Sequence, residues 1–321
     1  NSGVGAWATK VIPRVDQTTP GLRTAIVGTA AFQATFLADF DRAIELSQQA
    51  LADGIPPNCP APGQAYSAWS IALTSRGEPR VALEVMLDGL EKLEAAGADD
   101  YTIGGVHVLL ATAAAASQDP ALARAHADQA VGIARRSGIP STLAIALFAL
   151  GESLALSDPG TALTSFEESA AVMRSGASDI VLGPALGEIG LLRARAGDAE
   201  GAITALQEAV IHVLDDSYRP IVAGTLDRCV HSFASLELDE LAAVLAGVIS
   251  EGALAGMGHY FDSSAAQRQA ALERVRGRLG DDEYERALRR GSGLVYEEVV
   301  QYTRQLFDDL ARKSLAPGER P

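Results

Sequence analysis

The chain of 321 residues is 48% apolar, only 5% aromatic, and carries a formal net charge of −15. That supplies enough apolar material for a continuous core, while no uncharged apolar run of membrane-spanning length occurs. Residues 1–261 hold 30 acidic and 15 basic side chains and residues 262–321 hold 11 of each. The acidic excess therefore lies wholly upstream of residue 262, where it repels phosphate backbones and argues against direct nucleic-acid binding.

Residues 1–19, with Pro13 and the polar run Asp16-Gln17-Thr18-Thr19, read as a lead-in linker. The start at Asn1, without Met or a basic apolar leader, reads as a fragment of something longer, against which Trp7 is expected to pack. From residue 20 the apolar spacing predicts helix pairs at 21–37/39–53, 62–76/78–96, 100–117/119–137, 140–156/158–175, 179–196/198–214 and 219–235/238–251. The stretch 55–63, IPPNCPAPG, has four prolines and cannot be helical.

The fifth pair carries the clearest grammar. Small residues at Gly190, Gly197, Ala202 and Ala209 alternate with bulky Ile189 and Leu206, a pattern that lets two helices approach closely. Asp198 is placed to cap the second helix. Aligned on Ala202, the same register recurs at Ala43, Ala82, Ala123, Ala162 and Ala242, at intervals of 39, 41, 39, 40 and 40 residues. Self-similarity at this period predicts an all-α fold, a right-handed α-α superhelix of about six hairpins resembling tetratricopeptide (TPR) arrays. Gly54, Gly97, Gly138, Gly176 and Gly252 are expected as left-handed caps of the second helices. Beyond residue 252 the register changes. Charged helices near 262–279, 281–290 and 295–312 make residues 253–321 a C-terminal cap, since a terminal repeat needs a polar outer face.

The segment Arg278 to Leu306, RLGDDEYERALRRGSGLVYEEVVQYTRQL, resembles the closing signature of bacterial large ATP-binding regulators of the LuxR type and of related actinobacterial cyclase-ATPase fusions. The matching positions are Leu279-Gly280-Asp281, Tyr284, Ala287, Gly291, Leu294 and Glu298-Val299-Val300; Leu288 stands where those proteins usually carry Trp. The resemblance implies a cytoplasmic signalling protein, its nucleotide-binding machinery upstream of Asn1, and a DNA-binding helix-turn-helix downstream in some members.

Catalytic signals are missing. The three lysines, Lys10, Lys92 and Lys313, follow no Gly-rich turn, and neither a phosphate loop nor a Gly-x-Ser-x-Gly elbow occurs. His107, His126, His212, His231 and His259 show no metal-ligand spacing, and Cys59 and Cys229 are too isolated for a disulfide framework and read as free thiols. No catalytic residue, metal or cofactor is therefore assigned. First helices line the inner groove of TPR arrays, so Glu152, Glu188, Arg193, Asp227, Arg228 and His231 are the candidate groove-binding residues, a few polar groups on an apolar floor. Two roles fit: a regulatory scaffold for a protein partner or the chain's own upstream ATPase domain, alone or as a homo-oligomer, or a sensor that takes a small-molecule inducer in the groove.

Overall fold

In the computed structural model residues 2–177, 181–214, 219–256 and 265–314 are described, and the chain divides into two compact units, Asn1–Ser157 and Asp158–Pro321. All regular structure among the described residues is helical. The first unit contains α1 (Ser2–Val11), a 3-10 turn (Ile12–Gln17), α2 (Pro20–Phe36), α3 (Phe40–Leu51), α4 (Gln64–Ser75), α5 (Pro79–Ala95), α6 (Asp100–Ala116), α7 (Pro120–Ser137) and α8 (Pro140–Leu154). The second contains α9 (Pro159–Val172), a π-helical turn (Met173–Ala177), α10 (Leu182–Arg195), α11 (Ala199–Leu214), α12 (Arg219–Ser235), α13 (Asp239–Ser250), α14 (Ala265–Leu279), α15 (Asp281–Ser292) and α16 (Tyr296–Ser314).

The chain belongs to the all-α helical-repeat class, and local chemistry explains why. Within each unit first helices pack on their own second helix and on the next first helix, as α2 does on α3 and α4, α4 on α5 and α6, and α10 on α11 and α12. The six register alanines, Ala43, Ala82, Ala123, Ala162, Ala202 and Ala242, are all at 0% exposure. Opposite Ala202 the partner helix is also small. A methyl group on Gly190 would lie 2.6 Å from Leu206 Cγ and 3.3 Å from the Ala202 carbonyl.

The turns inside the pairs repeat as closely as the alanines. Ala38, Gly77, Gln118, Gly197 and Glu237 all have φ between +56° and +82°. In each turn the next amide donates to a carbonyl five residues back: Asp39 to Ala34, Glu78 to Leu73, Asp119 to Ala114, Asp198 to Arg193 and Leu238 to Phe233. This is the Schellman closure, here on non-glycine residues in three of the five turns. In three of these turns the following helix is capped by a carboxylate that accepts a backbone N–H, Asp39 from Arg42, Asp119 from Leu122 and Asp198 from Gly201, and Asp158 caps α9 in the same way through Thr161.

Between pairs, Gly54, Gly97 and Gly138 are left-handed as expected. Gly176 falls instead in the π-helical turn, and Gly252 has an ordinary φ because its role is contact: a methyl group there would lie 3.0 Å from the Val248 carbonyl and 3.1 Å from Ser292 Cα. The stretch before Pro20 is itself helical, and α1 packs on α2 through buried Ala8; Trp7 is exposed.

In the second unit α14, α15 and α16 extend a single apolar core that runs from Leu206 to Leu310. Arg278 of α14 binds Asp239 through two hydrogen bonds of 2.7 and 2.6 Å and also donates to the Ala234 carbonyl. Helices α13 and α15 meet backbone to backbone at Gly247 and Gly291. A methyl group on Gly291 would sit 1.8 Å from the Val244 carbonyl, and one on Gly247 would sit 2.1 Å from that of Leu288.

Two predictions follow from this packing. Ala202→Leu should overpack the α10–α11 pair and cost about 1–3 kcal/mol, and Gly291→Ala should destabilise as well although alanine favours helix, because backbone atoms cannot retreat as a side chain can. Thermal melts by circular dichroism measure both, and an unchanged midpoint would contradict the close approach.

A third concerns His107 and His126, which α6 and α7 bring together with Nδ1 atoms 3.0 Å apart. One neutral ring donates its N–H and the other accepts. Burial, and secondarily the charge on His126, push the His107 pKa down from 6.5 to about 4; burial also lowers His126. The unfolded chain therefore binds protons that the folded chain refuses between pH 6.5 and 4, so this stability is present above pH 6.5 and lost as pH falls through that window. Urea titrations of wild type against His107→Gln should converge as pH falls from 6.5 to 4.

Candidate functional site

Helix α12 is buried over nearly its whole described length yet carries Thr225, Asp227, Arg228, His231 and Ser232. Such side chains persist in a core only when paired. Arg228 Nε donates to Glu188 Oε1 of α10 at 2.7 Å, with both side chains at 10% exposure or less. The Arg228 stem lies over Gly187, where a methyl group would be 3.3 Å from Arg228 Cβ, so the glycine admits the arginine between the two first helices.

Asp227 is at 0% exposure. Its Oδ1 accepts from Arg268 Nη1 of α14 at 3.2 Å; its Oδ2 has no hydrogen-bond partner and lies 3.7 Å from His231 Nε2 and 3.8 Å from Arg228 Nη1. His231 Nε2 is likewise buried without a hydrogen bond. Burial lowers the His231 pKa against the opposing pull of Asp227, with Arg228 and Arg195 adding to the fall. At neutral pH the ring is thus an uncharged donor and acceptor. Cys229, in the same helix, has its thiol pushed far up by burial and then by Asp227, so it is an inert core residue.

Of the six expected groove residues the structure brings four together: Glu188, Asp227, Arg228 and His231. They form a covered network. Arg193 faces elsewhere on α10, donating to Glu167 of α9 at 2.8 Å and to the Gly201 carbonyl at 3.3 Å. Glu152 is half-buried near the end of α8, in the first unit. Arg268 was not among the six, and Arg195, which donates to Gln267 Oε1 at 3.1 Å beside it, joins the same surroundings. A signal for Arg268 exists in the numbering. Glu188, Arg228 and Arg268 stand 40 residues apart in turn, the repeat period itself.

Chemically the network can take a further charged group only by exchange for one of its own members, while Asp227 Oδ2 and His231 Nε2 stand without hydrogen bonds. Among the described residues no group of three or more His, Cys, Asp or Glu side chains is arranged to hold a metal ion, and no helix is long and apolar enough to cross a membrane.

No family model and no curated protein matches the sequence. Solved structures do. The crystal structure of BtubC (BKLC) from P. vanneervenii is similar at a TM-score of 0.52 and 17% identity, over 65% of this chain and 89% of that one. A Rap protein complexed with competence and sporulation factor is similar at a TM-score of 0.54 and 13% identity, over 95% of this chain and 80% of that one. At these identities the likeness carries the TPR-like helical-repeat fold.

The network predicts its own sensitivity. Asp227→Ala leaves Arg268 and Arg228 without their shared carboxylate and should cost about 3–5 kcal/mol, the range for breaking a buried ion pair. Denaturant unfolding measures it; a loss below about 1 kcal/mol, typical of exposed pairs, would mean that Asp227 is solvated.

Proposed function

We propose that the chain is a regulatory protein-interaction domain of the TPR-like class, with its recognition point at the charged network of α10, α12 and α14. The observation that carries this reading is the column Glu188, Arg228 and Arg268, joined through Asp227 inside an otherwise apolar array. Burying these charges costs more desolvation than apolar side chains of the same size would. Their use is specificity: they fix α14 on α12 and give the array one polar point where a partner's charged group competes. The resemblance of residues 278–306 to LuxR-type regulators and cyclase-ATPase fusions favours a cytoplasmic setting and a partner that is an ATPase domain of the same protein. The fold neighbours support an interaction role in kind, since the Rap structure is of a complex.

A second reading, a sensor for a small-molecule inducer, is favoured by one feature. Asp227 Oδ2 and His231 Nε2 are buried neighbours without hydrogen bonds, and a ligand hydroxyl or amide would satisfy both.

The two readings share a test. Captured partner or inducer should bind His231→Ala, and Arg193→Ala on the adjoining face, more weakly by about 1–3 kcal/mol each, the range for a lost charge-assisted hydrogen bond. Titration calorimetry of each variant, with Glu208→Ala of the outer α11 face as control, measures this. Wild-type affinity in the first two with loss in Glu208→Ala would move recognition to the outer face.

A further inference from the structure

We infer that the second unit carries an anion-binding point between Arg195 of α10 and Arg274 of α14, which takes a doubly charged oxyanion: a phosphate group, or two carboxylates of one ligand. The inference rests on the recognition point proposed above and supplies the chemistry of what meets it. It starts from a mismatch of partners. Arg228 and Arg268 each reach a buried carboxylate, Glu188 at 2.7 Å and Asp227 at 3.2 Å. Beside them Arg193 donates to Glu167, and Arg278 takes both oxygens of Asp239. Arg195 has no carboxylate partner among the described residues; its bond goes to the neutral Gln267 Oε1 at 3.1 Å. Arg274 makes neither a hydrogen bond nor an ion pair with them.

The fold brings these two cations to one face. Glu188, Arg228 and Arg268 mark one level on α10, α12 and α14, and Arg278 donates to the Ala234 carbonyl at the far end of α12, so α12 and α14 run the same way. Arg195 stands two turns beyond Glu188, and its guanidinium reaches α14 at Gln267. Arg274 follows Gln267 by seven residues, two turns along the same face of α14. The two charges feel each other there. The protein packed around Arg195 lowers its pKa, Glu188 opposes the fall, and the Arg274 charge adds to it. Both arginines are exposed, so a solute reaches them without displacing a helix.

The sign of the ligand follows. Like charges held side by side repel, and an anion between them turns the repulsion into two attractions. The guanidinium forks match the oxygens of phosphate and carboxylate groups, and Gln267, whose oxygen is taken by Arg195, keeps its two N–H donors for the same ligand. Elsewhere the acidic surface answers its arginines, as Asp41 does Arg76 and Glu208 does Arg174. In a chain with 41 acidic and 26 basic side chains, two neighbouring arginines without a carboxylate form a local reversal of sign. A cation is repelled there and a neutral molecule gains little.

NMR of the arginine Nε–H groups of the full chain tests this, in chloride buffer above neutral pH, with inorganic phosphate and succinate as probes and acetate as the monoanion. The Arg195 and Arg274 signals should move together with a dissociation constant on the order of millimolar, the scale for so small a ligand, and acetate should bind more weakly. Arg274→Gln breaks no hydrogen bond and relieves repulsion, so it should keep the melting temperature while weakening both probes about twofold to fivefold, the effect of one exposed charge pair. Arg195→Gln should weaken them equally; should it also loosen α14, Arg274→Gln decides alone. Arg80→Gln, on exposed α5 of the first unit, should change nothing. A blocked peptide with two adjacent glutamates separates the sources: if it binds tighter than succinate the point serves an acidic protein segment, and if more weakly a small acid. Silence of the Arg195 and Arg274 signals, equal movement of the Arg80 signal, or undiminished binding to Arg274→Gln each overturns the proposal. A captured partner weakened by His231→Ala but not by Arg274→Gln leaves the recognition point standing and removes the anion; phosphate binding as described, with a partner indifferent to His231→Ala, does the reverse.

Discussion

Everything in this fold depends on how closely one helix backbone can approach the next. Six alanines at 0% exposure mark the points of contact, and opposite Ala202 the partner, Gly190, is small for the same reason. Large side chains such as Met86, Phe166 and Leu206 then fill the space one turn further along the same helices. This division of labour explains how a chain with 5% aromatic residues builds a core. It also fixes the turns. Helices that close together need an abrupt reversal, and a left-handed residue supplies one even where it is Ala38, Gln118 or Glu237, with a capping carboxylate following Ala38 and Gln118. A positive φ costs such residues energy. That five turns adopt it shows tertiary contact overriding local preference.

A core assembled this way has little room for charge, which makes α12 the exception to be explained. Asp227, Arg228 and His231 lie within five residues of each other on a buried helix. None could be tolerated alone, and no pair among them has the geometry of a short hydrogen bond. Their partners come from the repeats before and after, Glu188 and Arg268, each about one period away. The repeat thus solves an electrostatic problem as well as a packing one: equivalent positions on successive first helices face each other, so opposite charges one period apart meet.

The sequence made the repeat legible because its signals are local and periodic. The alanine register, the aspartate caps and the proline-broken stretch at 55–63 all depend on neighbours within a few residues. Depth was harder to read. Whether Asp227 lines an open groove or lies sealed depends on α14, whose relation to α12 no local pattern states, and the network was therefore expected on an exposed surface. Glycine was the other limit. Gly54 is a left-handed cap, Gly252 a contact point and Gly291 a backbone crossing, and the letter is the same in each case. Only the atoms around each glycine separate these roles.

Charge explains why the network of α12 holds together as a unit. Opposite charges attract strongly where water is excluded, so a set such as Glu188, Arg228, Asp227 and Arg268 draws its own helices together and fills whatever space lay between them. On that argument the charged network suits holding an element in place until a competitor arrives.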